Sequence, residues 1–165
     1  MQPELTLQWI TEAENPELYA GMLDVRYETL RKPLGMPRSL ARNDLDPLHS
    51  YHLVCFDSSL PERPVLGCVS LHTVDHVRFP GAGKLYQMAV RADQQKLGVG
   101  RKLVIRLLEF AKDQLHLPRV YCHARHYASG FYERCGFCKT PEVAPFEEVG
   151  MKHFCMHTDL CLSMN

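Results

Sequence analysis

Residues 84–124 restrict the fold of this chain more than any other stretch. KLYQMAV (84–90) reads as a strand, QQKLGVGRKL (94–103) as a glycine turn opening a helix, and RVYCHA (119–124) as another strand. Between them Leu97, Leu103, Val104, Leu107, Leu108, Ala111 and Leu115 recur at three- and four-residue steps. Arg101, Lys102, Arg106, Glu109, Lys112 and Asp113 take the opposite side, and Pro118 stops the helix. A helix with an apolar stripe held between two strands buries that stripe on a sheet.

The flanking segments add to the same sheet. LTLQWI (5–10), SYHLVCF (50–56), VLGCVSLHTV (65–74) and HFCMHTDLCL (153–162) are strand candidates, the middle two as an antiparallel pair. Asn15-Pro16 opens a helix with Leu18, Tyr19, Met22, Leu23, Val25, Arg26 and Leu30 on one face, ended by Pro33. SGFYERCGF (129–137) is a short helix closing at Gly136. The predicted class is α/β (α+β), a mixed sheet with helices on it.

At 165 residues the chain suits a single domain spanning 1–165. Nineteen basic residues balance nineteen acidic ones, which disfavours a nucleic-acid binder. No apolar run approaches the ~20 residues needed to span a bilayer, which disfavours a membrane protein. The acidic start MQPELTLQWITEAENPEL lacks the regions of a secretory signal, and the seven cysteines then fit a reducing, cytoplasmic setting.

The glycine turn resembles a phosphate cradle, but two familiar ones are excluded. A dinucleotide fingerprint needs G-x-G-x-x-G, and the third position after Gly98 and Gly100 is Leu103. A P-loop needs G-x-x-x-x-G-K-[ST], yet Gly83-Lys84 is followed by Leu85 and preceded by Arg78 at the first-glycine position. The physics of an anion site survives. Helix N-terminal N–H groups lack partners, the glycines clear the approach, and Lys96, Arg101 and Lys102 add positive charge. A plain tight strand–helix turn is the competing reading.

MAVRADQQKLGVGRKL resembles the cofactor segment of the GNAT superfamily of N-acetyltransferases. There a hydrophobic-Ala-Val strand end leads to Q/R-x-x-G-x-G/A, matched by Gln95, Gly98 and Gly100. The family's A-x-x-F-Y-x-x-x-G-F helix is matched by Ala128, Phe131, Tyr132, Gly136 and Phe137. More loosely, RYETLRKPLG is similar to a GNAT first helix and substrate loop, and Gly150 and His153 resemble the tail of a small, single-domain bacterial subgroup. The resemblance implies a mixed, mostly antiparallel sheet of about six to seven strands flanked by about four helices.

It also implies acetyl-CoA as acyl donor and direct transfer to an amine. The main chain of Met88, Ala89 and Val90 would pair with the pantetheine arm, and Val90 N–H would polarise the thioester carbonyl. Pyrophosphate would sit on Gln95, Lys96, Leu97, Gly98, Val99, Gly100 and Arg101, with Lys102 beside it. Tyr132 would protonate the departing thiolate, against the reading of a core tyrosine with a bonded hydroxyl. The strand positions that carry an acid or histidine in many members are Lys84 and Tyr86 here. The base is therefore sought among His72, His153 and His157, or a water chain ending at one of them, and His153 is preferred for its place in the tail. Arg125 replaces a frequent Asn or Gln near the cofactor, and would either contact acetyl-CoA or face solvent. The missing strand acid keeps a second hypothesis open, an acyl-CoA-binding sensor or partner module on the same fold.

Cys135-Gly-Phe-Cys138 has C-x-x-C spacing, and His153, Cys155 and His157 share one strand face. A zinc site is disfavoured because the helix-end motif already accounts for Gly136 and Phe137 and no second C-x-x-C exists, so no metal is expected. The acceptor-shaping stretch 26–50 mixes Arg31, Lys32, Arg38, Arg42, Asp44 and Asp46, which selects no substrate class. A closing strand at the sheet edge would suit a homodimer.

Overall fold

Strand β4 (Gly83–Val90) and helix α2 (Val99–Asp113) each run through two compact units. One unit comprises Met1–His72 with Gln87–Leu107, the other Thr73–Tyr86 with Leu108–Asn165. The computed structural model describes residues 2–42, 47–73 and 78–161.

In the first unit β1 (Leu5–Ile10) pairs antiparallel with β2 (Ser50–Asp57), and β2 with β3 (Val65–His72). Helix α1 (Pro16–Arg26) lies on β3. Its Leu18, Tyr19, Met22 and Val25 pack with Val54, Phe56, Val65, Cys68 and Ala89 into one core. The start of α2 approaches β3 closely at Gly67, where a Cβ would fall 2.9 Å from Val99 Cγ1 and 3.2 Å from the Ala89 carbonyl oxygen. Glycine permits that approach.

In the second unit Gly83–Leu85 of β4 pairs parallel with Val120–Cys122 of β5 (Arg119–Arg125). Antiparallel to β5 runs β8 (Met151–Asp159), which also pairs with β6 (Cys138–Lys139) and β7 (Phe146–Glu148). Phe79, Ala82, Tyr121 and Cys155 form its core with Val143 and Phe146 against them. Short helix α3 (Ser129–Arg134) buries Tyr132. With eight strands and three α-helices among the described residues, the fold is a mixed, mostly antiparallel α/β sheet.

Several sequence expectations shift. The first helix leaves α geometry at Arg26 for a π turn (Tyr27–Arg31) and a 3-10 turn (Lys32–Leu34). Pro33 falls inside that last turn, where its missing N–H costs little, and Gly35 at φ 68° ends it. Leu97 was expected on the apolar face of α2, but it precedes the helix and is 61% exposed. Strands β6 and β7 were not anticipated. Two or three mostly exposed residues carry no period, and pairing with β8 creates them. Strand β8 is interior, between β5 and the short strands, so the edge-strand basis for a homodimer is removed. Asp44, Asp46, Val74 and Leu162 lie outside the described residues.

Candidate functional site

In the first unit the site grows out of the end of β4. Gln87 sits at φ 53° within the strand, a conformation non-glycine residues avoid, and Arg31 Nη2 donates to its Oε1 at 3.0 Å. Past that kink Ala89 is buried, while Met88 and Val90 are half-buried. Gln95 Nε2 then donates to the Val90 carbonyl at 3.1 Å, folding the loop back onto the strand end. Arg91 and Asp93 pair at 2.8 Å across a 3-10 turn (Ala92–Gln94).

Two residues of the loop adopt left-handed backbone, Lys96 at φ 65° and Gly98 at φ 85°. The Gly98 carbonyl accepts the Lys102 N–H at 3.0 Å as α2 begins. At such a helix start the first N–H groups point out of the helix toward the loop. Buried Val99 anchors this end, while Lys96, Leu97, Gly98, Arg101 and Lys102 are exposed. A helix N-terminus and three cations, Lys96, Arg101 and Lys102, give the loop a positive local field. Beside it a groove of about 760 Å³ runs between Asp24, Glu28 and Thr29 on one wall and Arg91, Asp93 and Gln95 on the other.

In the second unit Tyr132 is 6% exposed, with the Phe137 ring edge-on at 5.5 Å. Burial, then the neighbouring Cys122 and Cys135 thiols, push its phenol well above the ordinary range. His153 is also buried, and its Nδ1 lies 3.0 Å from the Met151 carbonyl, which fixes Nδ1 as the protonated nitrogen. Arg125 faces His153 across the ladder and donates from Nη1 to Tyr127 Oη at 3.0 Å.

Strand alternation divides these side chains. Tyr121, His123 and Arg125 share a face with His153, Cys155 and His157, and Cys122 beside Tyr132 points to the other face. The loop residues 95–102 thus come together as expected, whereas Tyr132 and His153 do not meet.

His123 is the residue the sequence reading missed. Its Nδ1 stands 3.3 Å from Glu148 Oε2, an ion-pair distance without hydrogen-bond alignment. The Phe146 ring lies edge-on to it at 4.9 Å and stacks on His153 at 5.9 Å. Burial first, then Lys84, depress His123 to about 4, while Glu148 opposes them. The signal available was alternation along RVYCHAR. The partner acid sits on β7, which the sequence did not announce.

The sequence matches the Acetyltransferase (GNAT) family over residues 11–137. The chain belongs to that family. A Bacillus subtilis (strain 168) protein described as a "Putative acetyltransferase" is 25% identical over 116 residues, 69% of this chain and 72% of its own length. Solved GNAT-like folds superpose over nearly the whole chain. A "putative N-acetyltransferase" from Lactobacillus plantarum gives a TM-score of 0.74 at 20% identity, covering 95% of this chain and 99% of its own. An acyl-CoA N-acyltransferase from Pseudomonas aeruginosa gives 0.72 at 20% identity, covering 94% and 99%.

In this GNAT protein the other imidazoles weighed from sequence have different surroundings. His157 is held by Thr140 and Cys138, and His72 sits half-buried at the end of β3 opposite Ser50. Lys84, at a strand position where many GNAT proteins carry an acid or histidine, is one of the charges that keep His123 neutral.

Proposed function

We propose that this GNAT protein is an acetyl-CoA-dependent N-acetyltransferase, moving an acetyl group directly to a primary amine of a small-molecule or peptide acceptor. The observation that carries the reading is the glycine turn at the start of α2, with left-handed Gly98, buried Val99, half-buried Gly100 and exposed Lys96, Arg101 and Lys102 around a helix N-terminus. The donor's pyrophosphate occupies that turn, with Gln95 and Leu97 at its rim. Its pantetheine arm pairs with the main chain of Met88, Ala89 and Val90.

The chemistry follows from two oppositely poised groups. The amine nitrogen attacks the acetyl carbonyl carbon, polarised by the Val90 N–H, and the carbon–sulfur bond breaks. Tyr132, kept protonated by its burial, gives its proton to the departing thiolate and regains one from solvent. The amine's proton passes by way of water to an imidazole on the sheet face opposite Tyr132. His153 offers its unprotonated Nε2, while neutral His123 has the Glu148 carboxylate to stabilise the imidazolium. The second arrangement favours His123.

Calorimetric titration with acetyl-CoA tests the turn. Wild-type protein is expected to bind in the micromolar range, and Gly100→Glu to abolish binding by filling the site with a side chain of like charge to the ligand. Equal affinity in both proteins would remove the loop from donor binding.

A further inference from the structure

Outside the acyl-transfer residues, a nucleophile, an imidazole and a hydroxyl stand in one hydrogen-bonded line. Cys138 and His157 face each other directly in the β6–β8 ladder, with Cys138 Sγ 3.6 Å from His157 Nε2. On the far side of the ring, Nδ1 lies 2.7 Å from Thr140 Oγ1. Thr140 is itself fixed: it is 3% exposed, and its N–H donates to the Cys155 carbonyl at 2.9 Å. When its oxygen accepts the Nδ1–H, the Nε2 lone pair is aimed at the Cys138 thiol.

The other cysteines lack this combination. Cys55, Cys68, Cys122 and Cys155 are buried, and burial pushes all four thiols up, Cys55 to about 11. Cys135 is half-buried, and Cys161 is exposed with no imidazole beside it among the described residues. Cys138 is exposed and carries its own base. The charged groups around it are Arg119 on β5, Lys139 on β6, Glu142 in the following turn and Asp159 on β8, the last paired with Arg119 at 2.6 Å. A nucleophile whose base is oriented by a third group is the arrangement that activates thiols.

We propose that Cys138 is a modification site, a thiol activated by His157 that forms mixed disulfides with low-molecular-weight disulfides. His157 Nε2 takes the thiol proton, and the Cys138 sulfur attacks one sulfur of the disulfide. The disulfide bond breaks, and the departing thiolate leaves as a thiol with the proton from His157. The small disulfide is the oxidant, reduced to one free thiol as Cys138 becomes the mixed disulfide. The site is independent of acyl transfer.

The test exposes the full chain to oxidised glutathione and follows each cysteine by peptide mass mapping. Cys138 is expected to form its adduct at least about tenfold faster than Cys161, its exposed counterpart without a base. His157→Ala should bring the Cys138 rate down to that of Cys161 and leave the Cys161 rate unchanged. Equal wild-type rates at Cys138 and Cys161 would overturn the proposal, and that comparison needs no variant. So would an undiminished Cys138 rate in a folded His157→Ala protein.

Discussion

Tyr132 and His123 are both taken out of water, and desolvation disfavours the charged form of each. For the phenol the charged form is the anion, so Tyr132 is held as an acid. For the imidazole it is the cation, so His123 is held as an unprotonated base. One physical term, desolvation, keeps both groups in their uncharged forms. Tyr132→Phe is therefore expected to lower turnover by roughly 10²–10⁴-fold while leaving acetyl-CoA affinity in calorimetry unchanged. Unchanged turnover would take the proton-donor role away from Tyr132. Arg26 shows the limit of reading single residues from a string. The period of α1 placed it on the buried face, and it is 0% exposed. Its partners are the Ala41 carbonyl, Ser70 and His52, none of them adjacent in sequence, and none an acid.

Among the elements, the β7–β8 hairpin stores backbone strain. Its two-residue loop is Val149-Gly150, between the paired residues Glu148 and Met151, with φ of 48° and 76°. Such turns favour Asn-Gly, because a β-branched residue is strained at positive φ. Val149→Asn is expected to stabilise the protein by about 1 kcal/mol, read as a raised denaturant midpoint with an unchanged slope. An unmoved midpoint would mean that Val149 has no strain to release. The long elements were legible because period carries over many residues: α2 shows its stripe, and β2, β3 and β5 their extent. The short ones were not. Two-residue β6 and three-residue β7 exist because β8 supplies their hydrogen-bond partners.

For the whole molecule, two partly buried histidines tie stability to pH on the acid side. His52 is depressed to about 4 by burial and by the Arg26 guanidinium, and His123 falls to about the same value. In the unfolded chain both imidazoles take up protons near their ordinary value of 6.5. The stability tied to them is thus complete above that value and is lost as pH falls toward 4. Because both rings are partly exposed, each contributes on the order of 1 kcal/mol after solvent screening. Asp57, held low by the hydrogen bonds from Ser59 and Glu4, adds a loss of the same sign further down. Melting temperatures are expected to fall steadily between pH 7 and pH 4. A flat profile there would mean that the two histidines are not held neutral by the fold.

The covalent string was sufficient for the strand–glycine–helix segment and the family it resembles. Each of these depends on neighbours within a few residues: strand alternation, glycine conformation, the apolar period of a helix. Tertiary pairing alone brought Glu148 to His123, set His157 between Thr140 and Cys138, and placed Tyr132 and His153 on opposite faces. In each case the partners are carried by different elements. Their meeting depends on strand register, where a shift of one residue turns every side chain to the other face.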